Sequence, residues 1–434
     1  GGTEEEKKQR SWLESLLAEE KGKRKFLFSH YPPFICQEFE SEHYDNYAEP
    51  GRHWLLELAV SASVEAIISG HVHHFFLNEH KGVKLYCLPA TSFTRQDFSA
   101  IFRGLPTNEF GRDDIGKFGV TIFNIKEHGH DFTWIPTYGK ETVDDKNNQD
   151  ERAKPLFQIP NLIPSLRHDW CQSITMPANG PMEEFTRKIT RNDYPILRLK
   201  QLGIKKVRVP LVDFLDPVSA ARIRLLEDFG IRAVVFFTGN ITNPDFKTLM
   251  GMSKNIYAIE VISRDIHLNI LKTLQEVNCP VWYSKISTSA NQSDDKKPFN
   301  ISVSTGCMAD EMKEVSSNLS EISSEKGLRL VVQCPWQGQA MVSCVQEILK
   351  AWDYIENKGI KLAINVRLAP SNPAEENVDS IAMAQTIRSV QSIAENNPKI
   401  EFILDTFEAF DRGYHPRLGL VDTLSNISDW YPRQ

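Results

Sequence analysis

The sequence predicts an α/β protein in two parts, a shorter amino-terminal α/β segment followed by a (β/α)8 barrel-like domain. Three observations carry this. Eight short β-rich runs alternate with helical patterns over about 250 residues, the pattern of a parallel barrel. Residues 141–164, ETVDDKNNQDERAKPLFQIPNLIP, are rich in charge, Asn and Pro and lack periodicity, so they read as a linker. Nine of the twelve histidines fall before residue 131, which concentrates imidazole chemistry in the first part.

Composition sets the bounds. The chain has 434 residues, 41% hydrophobic and 25% charged, enough for at least two full cores. A net charge of -7 argues against the basic stripe of a nucleic-acid or membrane-surface binder, and no apolar run approaches the length of a membrane span. Seven cysteines lie scattered without a C-x-x-C pair, and Cys279, Cys307 and Cys334 sit beside strand-like runs as small buried thiols do, so no disulfide framework is legible. The chain opens GGTEEEKK, with neither an initiator methionine nor a signal sequence, and so reads as a piece of a longer product whose compartment stays open.

In EEEKKQRSWLESLLAEE, Trp12, Leu13, Leu16 and Leu17 recur at helical spacing and acids crowd the first turn, which predicts an amphipathic helix over residues 4–20. Phe26, Leu27 and Phe28 then form a short strand that stops at Ser29-His30, because Pro32-Pro33 cannot continue a ladder. HWLLELAVSAS at 53–63 reads as a helix, and VEAIIS as a second buried strand ending at Gly70-His71. Strand, helix and strand make a βαβ unit, whose parallel strands emerge at one carboxyl edge. That edge is where open α/β sheets build their sites. His30 and His71 are therefore expected together, and the single residue between His71 and His73 lets both of those rings point into one cleft. His74, on the other side from His73, is read as supporting or simply exposed.

FLFSHYPPF followed by IISGHVHH resembles the last two signature blocks of the calcineurin-like metallophosphoesterases. VKLYCLPATSFTRQDF, FGVTIFNI and HDFTWIPTY resemble the closing strands of that fold, so the likeness runs over residues 1–140 and covers the carboxyl-terminal half of such a domain. The resemblance implies an α/β/β/α sandwich, His30 and His71 on one divalent ion, and His73 on a second. The implied chemistry is two-metal hydrolysis of phosphate mono- or diesters, with Mn, Fe or Zn as the ions and a small phosphoester as substrate. The family's D-x-H, G-D-x-x-D and G-N-H-[DE] blocks do not precede His30. The tripeptide Asp265-Ile266-His267 is followed by no G-D-x-x-D and is set aside. A half-site without those oxygen donors predicts little or no turnover by this chain. Residues 36–52, with Tyr44 and Tyr47, read as a loop able to shape access to His30.

From about residue 165 to 434, the predicted barrel strands are KKVRVPL, RAVVFFTG, IYAIEVIS, PVWYSKIS, FNISVST, LRLVVQC, KLAINVRL and IEFILDTF. One joint is imperfect: STSANQSDDKKP, between the fourth and fifth runs, offers no helix, which leaves a hairpin open. Barrel sites lie at the carboxyl ends of strands. Those ends hold Asp213, Asn240, Glu260, Lys285, Gln333, Asn365, Arg367 and Asp405, a polar ring with three carboxylates. Such a ring suits a carbohydrate ligand or glycoside hydrolysis, with the first segment as accessory, or else it caps helices and pairs with arginines. Asp411, Arg412, His415 and Arg417 follow the last strand and could bind an anion or lock the barrel's end.

Overall fold

Thr3 starts the first helix, its side chain accepting the Glu6 N–H while Glu4, Glu5 and Glu6 occupy the positive end of α1 (Glu4–Glu19). The chain then runs through β1 (Lys25–Ser29), α2 (Gly51–Ser61) and β2 (Val64–Ser69), and the two strands pair in parallel as the βαβ reading requires. β3 (Phe76–His80) and β4 (Val83–Cys87) form a hairpin across Lys81-Gly82, both at positive φ, the turn geometry that matches strand twist. β4 also pairs in parallel with β2, giving the sheet order β1-β2-β4-β3. Leu17, Leu55, Leu56, Ala59, Ile67 and Leu85 form one core cluster of this region, and Ile35, Val72, Phe76, Cys87 and Met176 form another. β5 (Gly119–Ile125) and β6 (His130–Pro136) pair as an antiparallel ribbon.

The computed structural model describes residues 2–95, 114–138, 161–166, 170–176, 187–275, 279–288, 303–320, 328–335, 340–356, 359–368, 380–409 and 418–431. The molecule is mixed α/β. It forms two compact units that interleave along the chain: Gly1–Ala153 with Cys171–Leu197, and Lys154–Trp170 with Arg198–Gln434. Where the sequence suggested one linker at 141–164, the chain thus passes between units three times. β7 (Leu162–Pro164) belongs to the second unit, and the short pair β8 (Ile174–Thr175) and β9 (Ile189–Thr190) to the first.

The second unit is built on an eight-stranded parallel sheet. Its strands after β7 are β10 (Lys206–Pro210), β11 (Arg232–Thr238), β12 (Ile256–Ser263), β13 (Val281–Thr288), β15 (Leu328–Cys334), β16 (Ile360–Arg367) and β17 (Glu401–Asp405), with β14 (Val303–Thr305) off this path. β17 pairs with β7, and a parallel bridge from Ser165 to Arg208 carries β7 on to β10, so the sheet curls back on its own first strand. Ile163, Val234, Ala258, Trp282, Val331, Ala363 and Ile403 form a buried cluster from seven of the strands.

Two strand assignments change. The described end of FNISVST, Val303–Thr305, is no barrel strand: β14 returns antiparallel on the end of β13, Ile286 opposite Thr305, as the hairpin that the helix-free joint left open. The run's apolar–polar alternation differs from the continuous apolar runs of a parallel barrel. The missing eighth strand is Leu162–Pro164, inside the segment read as linker. Three residues between prolines are too few to display a period. No disulfide joins the cysteines, and among the described residues no helix is long and apolar enough to cross a membrane.

Candidate functional site

The βαβ register sets the site. Ser29 lies opposite Ser69, so His30 and Gly70-His71 leave neighbouring parallel strands at one edge, and the Gly70 N–H donates to the His30 carbonyl at 3.1 Å. Nε2 of His30 and Nδ1 of His71 are 3.0 Å apart, with ring centroids 4.9 Å apart and planes at 70°. His71 and His73 both adopt left-handed backbone, φ 64° and 55°. Such residues cost roughly 1–2 kcal/mol each and persist where packing over-determines them. Here the fixed point is Val72, fully buried against the core between the two histidines, its N–H bonded to the Gly70 carbonyl at 2.7 Å.

The loop after His30 is organised by one carboxylate. Glu40 accepts the N–H groups of Ile35, Cys36 and Gln37 at 2.7, 2.8 and 3.1 Å and the Asn46 amide at 3.0 Å. Burial works to raise its pKa, but hydrogen bonds from His43, Asn46 and those backbone groups outweigh it and hold the carboxyl below the usual range. Buried Arg52 donates to the carbonyls of Glu38, Glu40 and Tyr47 and pins the same loop to α2.

So held, the loop sets Tyr44 and Asp45 beside His71. Asp45 is fully buried, its Oδ1 lying 3.4 Å from Nε2 of His71, and it takes Lys188 Nζ on Oδ2 at 2.6 Å and the Arg95 guanidinium on Oδ1. Desolvation opposes the charge on Asp45, but Lys188 and Arg95 prevail and its pKa is lowered. The rings of Tyr31 and Tyr44 stand 4.0 and 4.8 Å from that of His71, and Phe93 stands edge-on to His73 at 4.2 Å.

Burial is the main force lowering the pKa of His71, resisted by Asp45 and assisted by His30 and Arg95. At His73, burial, Arg95 and His30 all act downward. Both rings are thereby biased to the neutral form that a divalent ion requires, and Nε2 of His71 and Nδ1 of His73 are buried without a hydrogen bond. His74 is neither exposed nor part of this cleft. It is fully buried between Phe76 and Tyr194, at 4.9 and 4.6 Å, and its pKa is pushed well down, first by burial and then by Lys117.

The structure thus joins His30 to His71 and leaves His73 in electrostatic reach of His30. Among the described residues no group of three or more His, Cys, Asp and Glu side chains is arranged to hold a metal ion. The imidazoles suit the nitrogen-donor part of a metal centre. Among the described residues the oxygen donors that space two ions are not gathered beside them, and Asp45, which does reach His71, is held by two cations. Sequence reasoning missed Asp45 and Lys188. Asp45 lay in the loop flagged at 36–52, but nothing in the sequence tied Lys188 to a loop 143 positions earlier.

At the barrel's carboxyl ends, the polar ring proves interlocked. Glu260 receives Arg208 on both oxygens, at 2.6 and 3.1 Å, and the Ser284 hydroxyl as well. Asp213 accepts the Trp170 indole N–H at 3.1 Å, Lys285 pairs with Glu311, and Arg367 lies 3.8 Å from Asp405. Asn365 donates to the carbonyl and hydroxyl of Thr305, at 3.0 and 3.2 Å, while Asn240 is exposed beyond β11. Gln333 is buried at its strand's end. Gly306 and Cys307 bond to Lys285 on β13 and to Val331 and Gln333 on β15, so the chain after β14 wedges between the ends of two barrel strands. Asp411, Arg412, His415 and Arg417 lie outside the described residues.

No family model matches the chain, and no curated protein does. Among solved structures, a glycoside hydrolase family 5 enzyme from Prevotella bryantii B14 is similar over 57% of this chain and 89% of its own, with 11% identity and a TM-score of 0.31. A likeness of that size says nothing about chemistry.

Proposed function

We propose that the first unit contributes His30, His71 and His73 as imidazole ligands to the centre of a metal-dependent phosphoesterase, as an incomplete half-site with little or no turnover of its own. The observation that carries this reading is the 3.0 Å approach of His30 and His71 from adjacent parallel strands, with His71 and His73 both held in left-handed backbone. Divalent ions bound there would activate a water and neutralise phosphoryl charge. The chain's own part is to bias His71 and His73 to the neutral form through burial, to orient His71 between Tyr31 and Tyr44, and to fix the loop through Glu40.

Metal uptake is the primary test, because among the described residues the oxygen donors beside the imidazoles are few. Equilibrium dialysis of the metal-free chain with Mn or Zn should show binding that His30→Ala and His71→Ala each weaken about ten-fold or more. No uptake by the wild-type chain would end this reading. Aryl phosphate mono- and diesters with Mn then report whether bound metal turns over.

A second reading places a carbohydrate ligand at the barrel. What supports it is the gathering of Glu260, Gln333, Asn365, Arg367 and Asp405 on the carboxyl half of the strands. Aryl glycosides hydrolysed without added metal, and lost in Glu260→Gln or Asp405→Asn variants that remain folded, would favour it over the first.

A further inference from the structure

Two cysteines of the second unit meet at a barrel strand's carboxyl end. Cys334 is the last residue of β15, and Cys344 lies in the first turn of the helix Met341–Glu356. The Cys334 thiol is buried, its sulfur 3.6 Å from the carbonyl oxygen of Met341, and it donates a hydrogen bond to the Cys344 sulfur. The helix packs on β15, and Met341, Val345 and Ile348 are fully buried, so packing fixes the turn that carries Cys344 against the strand end. A thiol–thiol hydrogen bond leaves two sulfurs a side-chain rotation away from the roughly 2 Å of a disulfide.

The two thiols differ in character. Cys344 is only half-buried, and the hydrogen bond from Cys334 lowers its pKa against the effect of burial. The same bond, joined by burial, pushes the Cys334 thiol up. An accessible, more acidic thiol in the first turn of a helix, beside a buried second thiol, is the arrangement of a nucleophilic and a resolving cysteine.

We infer that Cys334 and Cys344 are a reversible dithiol–disulfide couple, a redox modification site at the end of β15. The oxidant is a small-molecule disulfide. The Cys344 thiolate attacks one of its sulfurs and expels one thiolate, leaving a mixed disulfide; Cys334 then attacks the Cys344 sulfur and expels the second. Two electrons pass from the protein to the small molecule, and the two thiol protons end on the two small thiols released. In the mixed disulfide Cys344 carries no charge, so the hydrogen bond that held Cys334 protonated lapses, and the first attack prepares the second. Closure ties the strand end next to Gln333 to the helix.

The test equilibrates the folded full chain with reduced and oxidised glutathione in varied ratio, alkylates the remaining thiols and maps the peptides by mass spectrometry. Wild type should give the 334–344 disulfide as the favoured pairing, and dithiothreitol should reverse it. Cys334→Ala should stop at a glutathione adduct on Cys344, whereas Cys344→Ser should lose the internal disulfide and leave Cys334 unmodified. Thermal melts identify a variant that has lost its fold, and wild type together with Cys344→Ser decides the question should Cys334→Ala unfold. Absence of the 334–344 disulfide from wild type under excess oxidised glutathione, its formation only in urea, or an equal yield of other pairings each overturns the inference. So does a glutathione adduct on Cys334 in folded Cys344→Ser.

Discussion

Arg208 on β10 grips both carboxylate oxygens of Glu260 on β12, bracing one strand to the next but one through the barrel interior. Both residues are buried, and the Ser284 hydroxyl and the Ser165 hydroxyl complete the contacts, the latter at 3.3 Å from Arg208. Removing one partner of such a pair leaves a buried charge without compensation, which costs about 3–5 kcal/mol. Glu260→Leu should lower the denaturation midpoint accordingly, and the double variant Arg208→Met with Glu260→Leu should regain much of it. A single variant as stable as wild type in urea would show that the pair contributes little.

Gly306 stands where no other residue fits. Its φ is 116°, and a Cβ there would lie 2.9 Å from the Gln333 backbone nitrogen. Gly306→Ala should destabilise the second unit by about 2–4 kcal/mol, from strained backbone together with a displaced strand end. Hydrogen exchange should localise the change to the ends of β13 and β15. Uniform protection there would contradict the wedge.

Glu40 makes the histidine loop sensitive to acid. Its folded pKa lies below the ordinary value of 4.5, so its stabilisation is complete above that value and drains away as pH falls through the lowered folded pKa. Wild type and Glu40→Gln should differ by about 2–3 kcal/mol at neutral pH, reflecting the lost charge-assisted backbone bonds, and the gap should shrink as pH falls from 4.5 through the lowered folded pKa. Melting temperatures across pH 3–7 check this. A gap that persists undiminished at pH 3 would mean the loop is held by something else.

Val72 is the anchor that lets His71 and His73 hold left-handed backbone. Val72→Ala removes two fully buried methyl groups and should cost about 1–2.5 kcal/mol. Because the turn loses its anchor, the metal affinity proposed for His71 and His73 should fall as well. Loss of stability with metal uptake unchanged would separate anchoring from ligand placement.

Apolar runs, their lengths and their stops determined the βαβ unit, the strand-end positions of His30 and His71, and the barrel class of the second unit. Those are local properties: a buried strand must be apolar on both faces, and a proline or glycine must end it. The pairing of strands was less legible where local pattern and location diverge. FNISVST carries good strand composition, yet its described end, Val303–Thr305, pairs antiparallel on β13, while LIP is too short to announce itself and yet provides the ring's first strand.

Only the tertiary structure decided what surrounds the histidines. Residues 171–197 follow the first barrel strand in the chain but pack with the first unit, and so bring Lys188 to Asp45. It likewise turned His74 inward and interlocked the barrel's carboxylates with Arg208, Trp170 and Arg367. Sequence specifies which groups a segment can offer. Whether an offered charge meets a substrate or a neighbouring side chain depends on distances of a few ångströms between segments far apart in the chain, and Coulomb and hydrogen-bond energies change over that length.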